Sequence, residues 1–233
     1  MADIPYSTAL IVGAGPGISA SVARSLSKAG LTVGLAARNV EKLAPLAAEI
    51  GAATFAADAA DPEAVARLFD EAEAKIGVPD LVVYNPSARV RGRIVDIDAV
   101  EVRRSIQVSA FGGFLVVQQA ARRMVPKQHG AILLTGATAS VKGFALSSAF
   151  AMGKFALRGL AQSAARELGP QGVHVIHFVI DGGVRSAARP DPADSPDSTL
   201  DPDGVAESYL AALRQPRNAW SWEIELRPWV ERF

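Results

Sequence analysis

Short apolar runs that alternate with stretches of helical length limit this chain more than any other feature. The runs are TALIVGA (8–14), TVGLAAR (32–38), ATFAAD (53–58), DLVVYN (80–85), AILLTG (131–136) and VHVIHFVI (173–180). Each is too short for a helix and too uniformly apolar for a strand with one wet face, so each reads as a strand buried on both sides. The stretches at about 17–29, 39–49, 61–76, 98–125 and 147–168 read as helices between them. Strand–helix alternation requires right-handed crossovers, and these build a parallel sheet covered on both faces. A seventh strand is expected at about 220–226, within NAWSWEIELRPWVERF. The fold class is therefore α/β, with a doubly wound, mostly parallel, seven-stranded sheet. A chain of 233 residues suits one domain over 1–233. Residues 185–204, RSAARPDPADSPDSTLDPDG, carry Pro, Asp and Ser without a period and read as a loop or mobile substrate lid. Residues 220–233 are expected to hold the final strand and tail.

Composition removes several function classes. Lys and Arg number 24, as do Asp and Glu, so no global charge favours a nucleic acid or an anionic membrane. Without cysteine there is no disulfide, thiolate metal site or thiol catalysis, and three scattered histidines give no metal motif. An acid near the N-terminus speaks against a signal peptide, and no apolar stretch reaches the length of a membrane span. A cytoplasmic protein without a metal is the expectation.

The first strand runs into LIVGAGPGISASVARSL, with Gly13, Gly15 and Gly17 at the strand–helix junction. Glycines there allow a tight turn and let a phosphate approach the backbone, and the helix N-terminus offers unpaired N–H groups. With Ile18, the pattern resembles the T-G-x-x-x-G-I-G motif of the short-chain dehydrogenase/reductase family, Val12 replacing the Thr and Ser19 the last Gly. Other marks of that family follow in order. AADAAD matches its D-x-x-D segment, YNPS (84–87) stands where it has N-N-A-G, and DGGVRS (181–186) where it has P-G-x-V-x-T. The resemblance covers nearly the whole chain and implies a Rossmann fold that binds a nicotinamide dinucleotide. It implies that Asp58 faces the adenine with Ala59 beside the ring, that Asn85 fixes a turn and lines the cofactor, and that Gly182, Val184 and Ser186 meet the nicotinamide amide. The second strand ends in Ala37 and Arg38 rather than an acid. A guanidinium suits a 2′-phosphate, so NADP(H) is favoured over NAD(H).

The family reduces a carbonyl or oxidises an alcohol with Asn, Ser, Tyr and Lys. Here the Tyr–Lys window reads FAMGK: Lys154 is kept, and Phe150 holds the tyrosine position without a proton to give. The serine position falls on Ala137, with Thr138 next to it as a substitute hydroxyl, and Ser109 stands for the asparagine. Ser147 and Ser148 precede Phe150 as further hydroxyls or a helix cap. Arg89, Arg91 and Arg93 follow the fourth strand and read as a solvated or subunit-contacting stretch, with an anionic substrate as the other reading. Trp220, Trp222 and Trp229 read as core or interface anchors. Two functions remain open: an NADP(H)-dependent oxidoreductase with an altered proton donor, or a non-catalytic NADP(H)-binding sensor, scaffold or regulatory subunit. The resemblance also implies a homodimer or homotetramer that pairs the helices at about 98–125 and 147–168.

Overall fold

The computed structural model describes residues 4–231. Positions 1–3 and 232–233, which belong to the expected domain span and tail, lie outside the described residues. The strands are β1 (Thr8–Val12), β2 (Thr32–Ala37), β3 (Ala53–Ala56), β4 (Leu81–Tyr84), β5 (Gly130–Thr135), β6 (Val173–Ile180) and β7 (Glu223–Leu226). They form one sheet in the order β3-β2-β1-β4-β5-β6-β7. Every neighbouring pair is parallel.

Strand residues alternate between two cores. Ala9, Ile11, Leu81, Val83, Ala131 and Leu133 pack on one face. Leu10, Val12, Val82, Tyr84, Ile132 and Leu134 pack on the other. This is the period-two geometry of a strand, with both faces apolar because helices cover both. The helices are α1 (Ile18–Lys28), α2 (Ala44–Ile50), α3 (Pro62–Ile76), α4 (Ala99–Ile106), α5 (Gly112–Met124), α6 (Ser148–Leu168) and α7 (Pro202–Leu213). No helix among the described residues is long and apolar enough to cross a membrane.

Three differences from the sequence expectation matter. The stretch 98–125 is not one regular helix: a π-helical turn, Gln107–Phe111, joins α4 to α5. The loop expected over 185–204 ends early, because Asp201 caps α7 by accepting the Asp203 N–H at 2.9 Å and Pro202 occupies the first turn. Helix α7 supplies the crossover that brings β7 back parallel to β6, so the sheet is wholly rather than mostly parallel. It packs on the α1 face, where Tyr209 stacks on Phe178 with centroids 3.8 Å apart.

The order of strands reverses between β1 and β4. The chain leaves the sheet in opposite directions on either side, and a crevice opens at the carboxyl ends of these strands.

Candidate functional site

Three adjoining hollows occupy that crevice, and neighbouring hollows share wall residues. The first, about 430 Å³, is lined by Gly13, Gly15, Pro16, Arg38, Asn39, Lys42, Asp58, Ala59 and Asn85. Gly13 is dictated by packing: its φ is +79°, and a Cβ would come within 2.6 Å of the Pro86 nitrogen. Gly15 and Gly17 differ, since a Cβ at either would meet no protein atom within 4 Å. Gly17 precedes α1 at φ +87° without a side-chain cap, so the first N–H groups of α1 are not taken by a capping side chain. Open space thus lies beside a helix N-terminus, where a phosphate would sit. Arg38 and Lys42 add positive charge at the rim, and among the described residues neither pairs with a carboxylate. The donor set fits a phosphorylated dinucleotide. Asp58 accepts the Ala60 N–H at 3.0 Å, which holds the turn that seats Ala59.

Two small side chains tie this turn to the next. Ser19 donates to the Gly13 carbonyl at 3.2 Å, and Asn85 Nδ2 donates to Ser19 Oγ at 2.7 Å. The serine that replaced a motif glycine therefore links the β1 and β4 loops.

The second hollow, about 190 Å³, is walled by Ile18, Asn85, Ser87, Thr135, Ala137, Phe150, Lys154, Gly182 and Val184. Lys154 comes from the second turn of α6 and is almost fully buried. Its Nζ donates to the Thr135 carbonyl at 2.8 Å, and it makes no ion pair among the described residues. Burial, with Arg89 as the second cause, pushes its ammonium down to about 7. Phe150 lies one turn earlier on the same face, its ring centroid 6.0 Å from Lys154 Nζ. The Arg89 guanidinium covers that ring at 4.4 Å.

The third hollow, about 530 Å³, opens outward past Phe150 and is lined by Arg89, Arg91, Ala137, Thr138, Phe144, Ser147, Ile180, Gly183 and Arg189. Thr138 thus reaches this outer cavity and not the wall around Lys154. Ala137 lines both, so no side-chain hydroxyl faces the inner hollow from that position. Ser147 also faces the outer cavity, and its side chain makes no helix cap.

Two candidate residues fall elsewhere. Ser109 is fully buried in the π-helical turn and lines none of these hollows. A Cβ on Gly153 would approach Ser109 Cβ to 2.7 Å, so Ser109 packs against α6. Its Oγ accepts the Ala88 N–H at 3.4 Å, while Ser105, one turn earlier, donates to the Ala88 carbonyl at 2.8 Å. This clamp holds the residue before Arg89. Ser186 exchanges two backbone hydrogen bonds with Arg189, at 2.9 and 3.0 Å, and lines no hollow. Its turn instead carries Arg189 into both inner and outer walls.

Sequence reasoning missed Arg189 and Ser105 altogether, and it favoured a solvated or subunit-contacting role for Arg89 and Arg91. It also missed a support behind Ala137. Ser140 Oγ accepts the Ala137 N–H at 3.1 Å and meets His177 Nε2 at 3.3 Å. His177 Nδ1 meets Glu223 at 3.0 Å, and Arg158 holds Glu223 with two bonds of 2.6 and 2.7 Å. Burial pushes His177 down to about 4, so it is neutral at pH 7. Ser140 and His177 are both fully buried and line none of the hollows. The arrangement is a brace for the pocket wall, not a hydrolytic triad.

Known proteins share this sequence pattern and this fold. Residues 7–192 match the family model of the short chain dehydrogenases. An uncharacterized oxidoreductase of Staphylococcus aureus strain MW2 is 30% identical over 229 residues, covering 94% of this chain and 96% of its own. A short-chain dehydrogenase from Rhodopseudomonas palustris superposes with a TM-score of 0.82 at 33% identity, over 96% of this chain and 99% of that one. A metagenomic short-chain oxidoreductase solved in complex with NADP gives a TM-score of 0.85 at 26% identity, over 97% and 99%.

Proposed function

The chain belongs to the short-chain dehydrogenase family, and from that premise we propose that it is an NADP(H)-dependent oxidoreductase acting on a small carbonyl or alcohol, with Lys154 as the proton-exchanging group in place of a tyrosine. The observation that carries this reading is Lys154 itself: a buried ammonium without an acid, walling the hollow between the dinucleotide groove and the outer cavity. Arg38 at the end of β2 supports the phosphorylated cofactor, as does the NADP bound by the metagenomic relative.

When bound, the nicotinamide supplies or accepts the hydride. The Gly13–Ile18 turn, Arg38, Asp58, Ala59 and Asn85 would hold the nucleotide, and Gly182 and Val184 would border its nicotinamide. Lys154 Nζ has one N–H fixed on the Thr135 carbonyl and the others directed away from it. In reduction, Nζ releases a proton to the carbonyl oxygen; in oxidation, neutral Nζ removes the hydroxyl proton. A group titrating at about 7 does both near neutral pH. Phe150 exchanges no proton, and its ring keeps the wall apolar. Arg89 keeps its proton and adds positive charge where negative charge develops on oxygen.

The protein is proposed to act in the cytoplasm as a homodimer or homotetramer. Phe111 and Phe114 stack with centroids 6.3 Å apart, and together with Met152 and Phe155 they leave apolar surface exposed on the helices expected to pair.

The test pairs cofactor titration with turnover. NADPH binding is followed by its fluorescence, and its oxidation by a panel of carbonyl compounds is followed by absorbance across pH. Reduction should fall as pH rises through about 7, and alcohol oxidation should rise over the same range. A Lys154→Met variant should lose both. Tight NADPH binding without turnover in either direction would replace this reading with a non-catalytic NADP(H)-binding protein on the same fold.

A further inference from the structure

We propose that Arg89, Arg91 and Arg189 form an oxyanion site in the outer cavity, so that the substrate is a carbonyl or alcohol compound carrying a carboxylate or a similar anionic group. The proposal rests on the oxidoreductase reading for the word substrate, whereas the binding site stands on its own geometry.

The three guanidinium groups reach one cavity from two separate segments, the loop after β4 and the turn after β6. Neither this cavity nor the hollow around Lys154 has a carboxylate in its wall. Other arginines nearby do have acids: Arg93 lies 3.6 Å from Asp96, and Arg185 pairs with Asp191 and Asp201. Among the described residues, Arg89, Arg91 and Arg189 make no ion pair. Glu231 approaches from behind Gly182, with Oε2 3.5 Å from the place a Cβ would take, but it neither lines the cavity nor pairs with any of the three. Burial and the charges of Arg189 and Arg91 all push the Arg89 guanidinium down, a repulsion that a bound anion relieves.

Two of these side chains are placed rather than loose. The Ser105–Ser109 clamp fixes Ala88, and Arg89 then lies 4.4 Å over the Phe150 ring. The Ser186–Arg189 backbone pair fixes the turn that carries the Arg189 side chain toward Gly183, where a Cβ would meet its Nη1 at 3.1 Å. Phe144, Ala145, Phe150 and Ile180 add apolar surface to the wall, beside the hydroxyl residues Thr138 and Ser147. An anion held by a planar guanidinium fork, with a carbon body against these side chains and a reacting oxygen toward Lys154, matches this distribution.

The competing source of an oxyanion is the diphosphate of the cofactor, and the experiment separates the two. 4-Carboxybenzamide is titrated calorimetrically into the protein, with and without saturating NADP, against the neutral match benzene-1,4-dicarboxamide. The acid should bind at least tenfold more tightly than the diamide, and the preference should shrink as salt is raised. Arg89→Gln and Arg189→Gln should each cost the acid about 10- to 100-fold, the worth of a charge-assisted hydrogen bond. Arg189→Gln should leave the affinity for the diamide and for NADP within about twofold. Arg189 lies on an exposed turn, so its variant reports even where Arg89→Gln disturbs folding. Equal binding of acid and diamide, no binding of either, or a loss that falls on NADP as heavily as on the acid would overturn the proposal. A protein that prefers the acid yet binds no NADP would sink the oxidoreductase reading and leave the anion site standing.

Discussion

Restoring a phenol at position 150 is the sharpest perturbation this site offers. Phe150 is 8% exposed and borders both the Lys154 hollow and the outer cavity, so a para hydroxyl in Phe150→Tyr projects from a ring that already edges open space. Two cations act on that phenol. Both distances, 4.4 Å for Arg89 and 6.0 Å for Lys154, run to the ring centroid, and each cation favours a phenolate over a phenol. Lys154 titrates at about 7 and supplies about half its charge at neutral pH. Burial opposes them, as at Tyr6, which is pushed up to about 12 by burial first and Asp80 second, against a smaller lowering by Arg217. With two cations against its ring and no acid in the walls, the new phenol should lie below such a tyrosine and act as a general acid. NADPH-dependent carbonyl reduction by Phe150→Tyr should therefore exceed wild type by about 10²-fold, and its pH profile should break above the Lys154 value of about 7. The assay is NADPH oxidation across pH, with cofactor affinity measured in parallel. A folded variant that binds NADPH like wild type, yet shows the same rate and the same break, would refute the reasoning, because proton transfer at this position would then not matter.

Further outcomes follow from other parts of the structure. Arg38→Ala should weaken NADPH binding by about 10- to 100-fold and leave NADH within about threefold, measured by fluorescence titration; equal losses would remove Arg38 from the 2′-phosphate. His177 is held neutral, down to about 4 against an ordinary value of about 6.5. The unfolded chain takes up its proton first as pH falls, so stability should decline between about pH 6.5 and about 4 by on the order of 3 kcal/mol. Denaturant unfolding in that window should show a shallower decline in His177→Gln. Gly112→Ala should cost about 1–3 kcal/mol by the same measurement, because a Cβ there meets the Ala59 carbonyl at 2.5 Å and the Tyr84 hydroxyl at 2.6 Å. As Ala59 lines the nucleotide groove, dinucleotide affinity should fall with it.

The sheet was legible because burial on both faces leaves a plain mark: uninterrupted apolar runs of strand length. Helix α7 was not, because its start, Asp201–Pro202–Asp203, continues the Pro- and Asp-rich composition of the loop before it. The signal was present in the Asp-Pro pair, which serves equally well as a cap and first turn. The π-helical turn left no mark at all, since 98–125 keeps a helical period throughout. Its purpose shows only in three dimensions, where the Tyr84 hydroxyl donates to the Val108 carbonyl inside the irregular turn. The family frame put Phe150, Ala137 and Lys154 at one site, and all three reach the inner hollow. At Ser109 the frame gave the position but not the direction of the side chain, and its hydroxyl serves the Ala88 backbone. Arg89, Arg91 and Arg93 look alike in sequence. Beyond Gly92 the chain turns, with the Arg93 carbonyl accepting N–H groups of Asp96 and Ile97, and that turn separates Arg93 from the other two.

The ring without a hydroxyl at Phe150 and the Arg89 guanidinium over it bear on the same proton. In a Tyr–Lys site the lysine is the cation that brings a phenol toward working pH. Here the ring cannot ionise, and Arg89 lies across its face at 4.4 Å. On the proposed reading each role moves by one residue: Arg89 would be the cation, and Lys154, pushed down first by burial and then by Arg89, would exchange the proton. Such a donor works only while it stays desolvated and free of a carboxylate that would hold it charged. The walls meet both conditions, since Lys154 is buried, its Nζ rests on a neutral carbonyl, and no acid lines the hollow. A carboxylate beside Lys154 would raise its ammonium just as it would raise a phenol, and either group would then hold its proton more tightly. The proposed exchange at Lys154 therefore rests on a hollow wall without acids as much as on a ring without a hydroxyl.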